Sequence, residues 1–128
     1  MRLALLEADI TPSQINHINC HATSTPLGDE AEIRAIEQLI GNPKFDDPYE
    51  FKNQDSNTAI EHLIEPSRLR AITLTANKSQ LAHTISASGG IESIILLKTL
   101  ETGIVPEIMN LEEPISTELK LVRGEHEK

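Results

Sequence analysis

Two histidines and one lysine lie where predicted β-strands end, and these three residues could do chemistry together. His21 closes an apolar run and leads into a turn rich in Thr, Ser, Pro and Gly. Lys78 and His83 follow a second apolar run. Side chains at strand ends are exposed and lie beside the positive end of the helix that follows. Two imidazoles that each donate a ring N–H could therefore hold a developing oxyanion, such as that of a thioester carbonyl.

The same residues allow other interpretations. A lone histidine is more often an ordinary hydrogen-bonded surface or core residue. His17 and His21 form an H-x-x-x-H pair, but on a strand this spacing separates the rings by roughly 13 Å, so we expect no metal site. Cys20 points to the opposite side of the strand from His21 and is expected to be a buried, inert thiol. Ser24 lacks the G-x-S-x-G context of a serine hydrolase.

The elements that position these residues alternate between helix and strand. The apolar periodicity predicts helices at 3–8, from Gly28-Asp29 to about 40, and at 89–100, and strands at 15–21, 71–76 and 119–122. This alternation predicts an α/β fold with a mixed, mostly parallel sheet and helices packed on it. Asp29 and Glu32 are expected in the first turn of the second helix, where negative charge suits the helix dipole. The helix at 89–100 is apolar nearly all round, which predicts burial in a core or an interface.

The segment 44–70 has a different composition. It contains Pro48, Pro66 and many Asp, Asn and Gln residues, and only 59–64 has a helical pattern. We interpret it as a solvated surface insertion.

The length, net charge and cysteine count of the chain argue against several classes of protein. A chain of 128 residues is one domain or a piece of one. The net charge of −9 argues against a nucleic-acid or anionic membrane surface. A single cysteine excludes an intrachain disulfide, and no run approaches the ~18 apolar residues that span a bilayer. The N-terminal apolar stretch is too short for a signal peptide, so we expect no targeting segment in this chain.

Four runs resemble motifs of the β-ketoacyl-[acyl-carrier-protein] synthases. HATSTPLGDEAE at 21–32 resembles their His-Gly-Thr-Ser-Thr-Pro-x-Gly-Asp-x-x-Glu motif, and NKSQLAH at 77–83 resembles Thr-Lys-Ser-x-x-Gly-His. SASGGIE at 86–92 is similar to Gly-Ala-Ala-Gly-x-x-Glu, and PEIMNLE at 106–112 to a Pro-Pro-Thr-x-Asn-Leu segment. The Thr-Ser-Thr run resembles the fatty-acid branch more than the modular polyketide synthases. The resemblance covers the chain outside 44–70.

The resemblance implies the C-terminal half of a thiolase-like fold, truncated at both ends, with 44–70 as an insertion. Such enzymes join an acyl group, held on a cysteine of the N-terminal half, to malonyl carried on acyl carrier protein, in fatty acid biosynthesis. His21 and His83 would bind the malonyl thioester carbonyl and stabilise the enolate that forms as carbon dioxide leaves. Lys78 would support the histidines, and Glu32 would hold Lys78.

The resemblance also implies substrate contacts and partners. Thr23 and Thr25 match positions that hydrogen-bond the pantetheine arm, and Asp29 belongs to the same motif. The implied partners are acyl carrier protein and the N-terminal half of the synthase, with a homodimer for the full-length parent. No metal or dissociable redox cofactor is implied, and the substrates would be carried on the phosphopantetheine of acyl carrier protein. The implied compartment is the cytoplasm, or the mitochondrion or plastid of a eukaryote.

Departures from the family pattern leave an alternative open. Ala22, Ala82 and Ser86 stand where the motifs have glycine, and Cys20 does not match the nucleophilic cysteine. The alternative is a non-catalytic relic or interaction module that keeps the fold. Sheet edges left bare also predict poor solubility in isolation.

Overall fold

The computed structural model describes residues 1–53, 64–116 and 118–124, and the helix predicted at 59–64 lies almost wholly outside these ranges. The helices are α1 Arg2–Glu7, α2 Pro26–Ile40, α3 Pro48–Asn53, α4 Pro66–Arg70, α5 Lys78–Leu81 and α6 Ser88–Thr102, and the strands are β1 His17–Asn19, β2 Thr73–Thr75 and β3 Lys120–Leu121. Short 3-10 turns occupy Pro12–Gln14, Pro43–Asp46 and Ile85–Ala87.

The described strands form one parallel sheet in the order β1-β2-β3. Ile18 pairs with Leu74, and Thr73 pairs with both His17 and Lys120. Because side chains alternate across a strand, Ile18 and Leu74 face the core while His17 and Thr73 share the opposite, polar face. The α/β fold with a mostly parallel sheet is confirmed, although each strand is shorter than predicted.

Helix α2 covers the apolar face of the sheet. Its residues Ile36, Leu39 and Ile40 belong to the same buried cluster as Leu74. The helix begins at Pro26, two residues before the predicted start, because a proline is well suited to the first helical position. Glu32 therefore lies in the second turn of α2 and not in the first.

The expectation of a purely solvated segment at 44–70 is wrong for its described parts. Phe45, Phe51 and Leu69 are buried at 3%, 1% and 3% exposure, and the two phenylalanine rings meet edge to face at 5.2 Å. Arg68 binds the carboxylate of Asp46 with two nitrogens and also donates to the carbonyl of Ile40. Phe45, Phe51 and Leu69 belong to the main core cluster, and burial of the two aromatic rings stabilises it. Whether 44–70 is an insertion stays a prediction.

Helix α6 extends the prediction at both ends and stops at Gly103, whose φ of 70° is the left-handed conformation of a helix C-terminus. Ile94, Leu97 and Leu100 on this helix are 61%, 65% and 81% exposed. The apolar face predicted to be buried is therefore uncovered by the rest of the described chain. No helix within the described ranges is long and apolar enough to cross a membrane.

Candidate active site

The parallel pairing of β1 and β2 brings their C-terminal ends to the same edge of the sheet. His21 follows the end of β1, and His83 follows α5, which begins just after β2. The centroids of the two imidazole rings are 5.2 Å apart, and the ring planes meet at 86°. Both residues are exposed. One small group can therefore reach both rings from solvent.

The turn after His21 is anchored by Glu32 of α2. The two oxygens of this carboxylate accept the backbone N–H groups of His21 at 2.7 Å and of Ala22 at 2.9 Å. The hydroxyls of Thr23 and Thr25 are 3.0 Å apart in the same turn. Glu32 thus fixes the backbone that carries the His21 ring.

Gly28 lets this turn lie close against α2. A side-chain Cβ at Gly28 would lie 2.5 Å from the hydroxyl of Thr25, which is closer than real Cβ contacts allow. A side chain at Gly28 would therefore force the Thr25 hydroxyl to move away from its contact with Thr23.

The partner predicted for Lys78 is corrected by the structure. Lys78 forms an ion pair with Glu92 of α6, and the two side chains are 7% and 16% exposed. Glu32, the predicted partner, instead accepts the backbone N–H groups of the His21 turn. The sequence analysis did not assign Glu92 as the partner of Lys78. The available signal was its position as the final glutamate of the motif at 86–92.

A backbone contact of the His83 ring favours one neutral tautomer. Its Nδ1 accepts the backbone N–H of Ile85 at 3.2 Å. A neutral imidazole that accepts at Nδ1 carries its proton on Nε2. His83 is therefore arranged to donate from Nε2.

Cys20 is a structural thiol, as predicted. It is 5% exposed, and burial, together with the nearby carboxylates of Glu32 and Asp29, raises its pKa to about 12. A thiol in this state does not supply a thiolate at neutral pH. Asp29 lies in the first turn of α2 and its backbone N–H donates to the carbonyl of Thr25.

His17 belongs to a different contact from His21. Its Nε2 is 2.8 Å from the hydroxyl of Thr75, which in turn donates to the side-chain oxygen of Asn19 at 3.1 Å. Burial lowers the pKa of His17. In the part of the chain that the structure describes, no three His, Cys, Asp or Glu side chains converge as a metal ligand set.

Comparison with known proteins agrees with this arrangement of motifs. The family profile described as beta-ketoacyl synthase, C-terminal domain, matches residues 1–58 and 44–112. The chain belongs to the β-ketoacyl synthase family. The paired histidines of this chain therefore lie on the C-terminal domain of a thiolase-like α/β fold.

Individual relatives support the same membership. The chain is 32% identical over 112 residues to "3-oxoacyl-[acyl-carrier-protein] synthase I, chloroplastic" of Hordeum vulgare, covering 88% of this chain and 19% of the relative. It is 31% identical over 114 residues to "3-oxoacyl-[acyl-carrier-protein] synthase 2" of Vibrio harveyi, covering 89% and 22%. A "Putative 3-oxoacyl-[acyl-carrier-protein] synthase, mitochondrial" of Schizosaccharomyces pombe is 32% identical over 112 residues, covering 88% and 21%. The chain therefore spans about a fifth of the length of the curated relatives it matches.

Proposed function

We propose that this chain is the C-terminal part of a 3-oxoacyl-[acyl-carrier-protein] synthase, in which His21 and His83 hold the carbonyl oxygen of a malonyl thioester. The observation that carries the proposal is the 5.2 Å separation of the two imidazole rings. Because rings at this separation are already in edge-to-face contact, the carbonyl oxygen would lie at their exposed edges, where it could accept an N–H from each. Hydrogen bonds of this kind strengthen as the oxygen gains charge.

The reaction would proceed by decarboxylation and carbon–carbon bond formation. The bond between the malonyl carboxylate and its methylene carbon breaks, carbon dioxide leaves, and the electron pair moves onto the thioester as an enolate. Because His21 and His83 donate to the enolate oxygen, they lower the barrier to this step. The enolate carbon then attacks an acyl thioester on a cysteine supplied by the N-terminal half, and the thiolate of that cysteine is released. Cys20 takes no part, since it is buried and protonated.

The loop that carries His83 would be held by the Lys78–Glu92 ion pair. Lys78 lies on α5, before His83 in the chain, and Glu92 lies on α6, after it. The ion pair therefore connects the two ends of the loop that carries His83. A fixed ring keeps its donor aimed at the oxyanion without reorganisation during the reaction. Thr23 and Thr25, whose hydroxyls lie in the neighbouring turn, would bind the pantetheine arm.

The proposed partners follow from the family and from the uncovered helix. Ile94, Leu97 and Leu100 of α6 are exposed, and contact between apolar side chains and water is unfavourable. The N-terminal half of the synthase would cover these residues. Acyl carrier protein would deliver malonyl on its phosphopantetheine, with no metal or other cofactor, and the complete synthase would be a homodimer. The named relatives include chloroplastic and mitochondrial proteins, so an organelle or the cytoplasm is the proposed compartment.

A non-catalytic role is the second candidate. The backbone of Ala82, the residue before His83, favours this candidate. Ala82 has a φ of 60° and a ψ of 175°, a conformation that suits glycine and not alanine. Strain of this kind in place of a motif glycine would be expected in a chain that is no longer selected for turnover.

A chimera distinguishes the two candidates. The segment of the Vibrio harveyi relative that this chain matches would be replaced by this chain, and formation of 3-oxoacyl product from malonyl and acyl carrier substrates would be measured. Product formation above that of the Vibrio harveyi protein lacking the segment supports the proposed reaction. A chimera that folds and dimerises but forms no product would favour the non-catalytic candidate.

A further inference from the structure

We infer that Ser88 is a positioning residue that locks the ring of His83 through a hydrogen bond to Nδ1. Its hydroxyl oxygen lies 3.0 Å from that nitrogen, and Ser88 is 6% exposed. The residue stands in the run at 86–92 where the similar family motif has alanine. A buried hydroxyl against the imidazole is therefore a feature of this chain's own sequence.

The other hydrogen-bond contacts of Ser88 leave its hydroxyl able to donate to His83. The Ser88 oxygen accepts the backbone N–H of Thr84 at 2.9 Å and lies 3.2 Å from the Thr84 hydroxyl. A serine hydroxyl offers one proton and two lone pairs. If the Thr84 hydroxyl donates, both lone pairs of Ser88 are occupied and its own proton is left for His83.

The opposite direction is disfavoured by Ile85. His83 Nδ1 already accepts the backbone N–H of Ile85 at 3.2 Å, so a proton on Nδ1 would face that N–H and lose this bond. If the N–H of Ile85 and the hydroxyl of Ser88 share the single lone pair of Nδ1 in a three-centre bond, the neutral ring keeps its proton on Nε2.

The consequence for His83 is both geometric and electronic. Two donors converging on Nδ1 oppose rotation of the ring, and the buried hydroxyl is protected from competition with water. A bond donated to Nδ1 also polarises the ring, which strengthens the N–H on the other nitrogen as a donor. Ser88 would thus act on an oxyanion only through His83, and this last step rests on the proposed function.

The primary test is nitrogen-15 NMR of histidine-labelled protein at a pH where His83 is neutral, with the His83 signals assigned by His83→Gln. In Ser88→Ala, the Nδ1 signal of His83 is expected to move downfield, because this imine nitrogen loses one of its two donors and keeps only the N–H of Ile85. Ser93→Ala is the matched control, because the Ser93 hydroxyl donates to the carbonyl of Gly89 on the same helix. An Nδ1 signal unchanged in Ser88→Ala would overturn the inference.

A second variant covers the case in which Ser88→Ala does not fold. Ser88→Cys keeps a side chain of similar shape with a weaker donor, and it should give a smaller downfield shift in the same direction. A shift equal to that of the Ser93→Ala control would again overturn the inference.

The activity readout separates this inference from the proposed function. In the chimera, Ser88→Ala should lower kcat for malonyl decarboxylation by roughly 3- to 10-fold, the worth of one net hydrogen bond, with little change in KM. A moved Nδ1 signal in a chimera without decarboxylation would contradict the proposed function alone. An unmoved signal in an active chimera would contradict the role of Ser88 alone.

Discussion

Lys78 and Glu92 form an ion pair that is almost removed from water, with side-chain exposures of 7% and 16%. The pair joins α5 to α6 on either side of His83. Removing two charges from water costs free energy, and the attraction between the two charges offsets this cost only while both partners are present. The stability of the loop that carries His83 therefore depends on this pair.

Removing one partner should be strongly destabilising. We expect Glu92→Gln to lower the free energy of unfolding by about 3–5 kcal/mol, because it leaves the Lys78 ammonium buried without its counter-charge. The matched control is Glu101→Gln, which breaks the Lys98–Glu101 pair at 68% and 66% exposure and should cost at most about 1 kcal/mol. Urea denaturation of both variants measures the difference, and equal midpoints would refute it.

Ala82 should be improved by the glycine that the family motif has. At φ 60° and ψ 175° an alanine carries strain of about 1–3 kcal/mol, while glycine adds a chain-entropy cost of roughly 0.5–1 kcal/mol. Ala82→Gly is therefore expected to stabilise the protein by about 1 kcal/mol in thermal or urea unfolding.

The control for this change is Ala87→Gly, at a φ of −83°, which should destabilise by roughly 0.5–1 kcal/mol. Ala22, at a φ of 37°, should gain less from glycine than Ala82 because its methyl group packs against the core. Destabilisation by Ala82→Gly would contradict the account of strain at this position.

Stability should fall as the pH drops below the ordinary pKa of histidine, because of His17. Burial lowers the pKa of His17 in the folded protein from its usual 6.5, so the unfolded chain binds a proton first. The contribution of His17 is present in full above about pH 6.5 and is lost as the pH falls towards the lowered folded value.

Urea unfolding from about pH 8 to about pH 5 measures this loss. His17→Gln, which keeps an N–H donor for Thr75, should flatten the profile in this range. The carboxyl of Asp46, whose pKa the Arg68 guanidinium lowers from 3.8, affects stability only at more acid pH. An unchanged slope in His17→Gln would show that His17 is not responsible.

The sheet and the main helices could be predicted because each has its own local pattern. The run before His21 has apolar residues at Ile15, Ile18 and Cys20, and the run at 71–76 is rich in β-branched residues. Helix α6 is bounded by small residues and by Gly103. Phe45 and Phe51 escaped prediction because they lie in two separate short elements, where no single periodicity connects them. Their burial depends on tertiary contact with α2 and the sheet.

The histidine pair could be placed by sequence, but its supporting carboxylates could not be assigned. Glu32 and Glu92 are both acidic residues near a motif histidine, and sequence spacing does not tell which one reaches Lys78. The approach of α6 decides this in favour of Glu92, while Glu32 is occupied by the backbone of the His21 turn. The contact of Ser88 with His83 likewise exists only in three dimensions.

The most direct test of the account measures decarboxylation in single histidine variants of the chimera. A malonyl thioester labelled at its free carboxylate would release labelled carbon dioxide, which counts the step that the two rings are proposed to assist. His21→Ala and His83→Ala each remove one donor and should lower this rate by about 100-fold or more. The control variant Arg34→Ala breaks the exposed Arg34–Glu30 pair and should leave the rate unchanged. Rates near that of the parent chimera in both histidine variants would contradict the claim that these rings share one carbonyl oxygen.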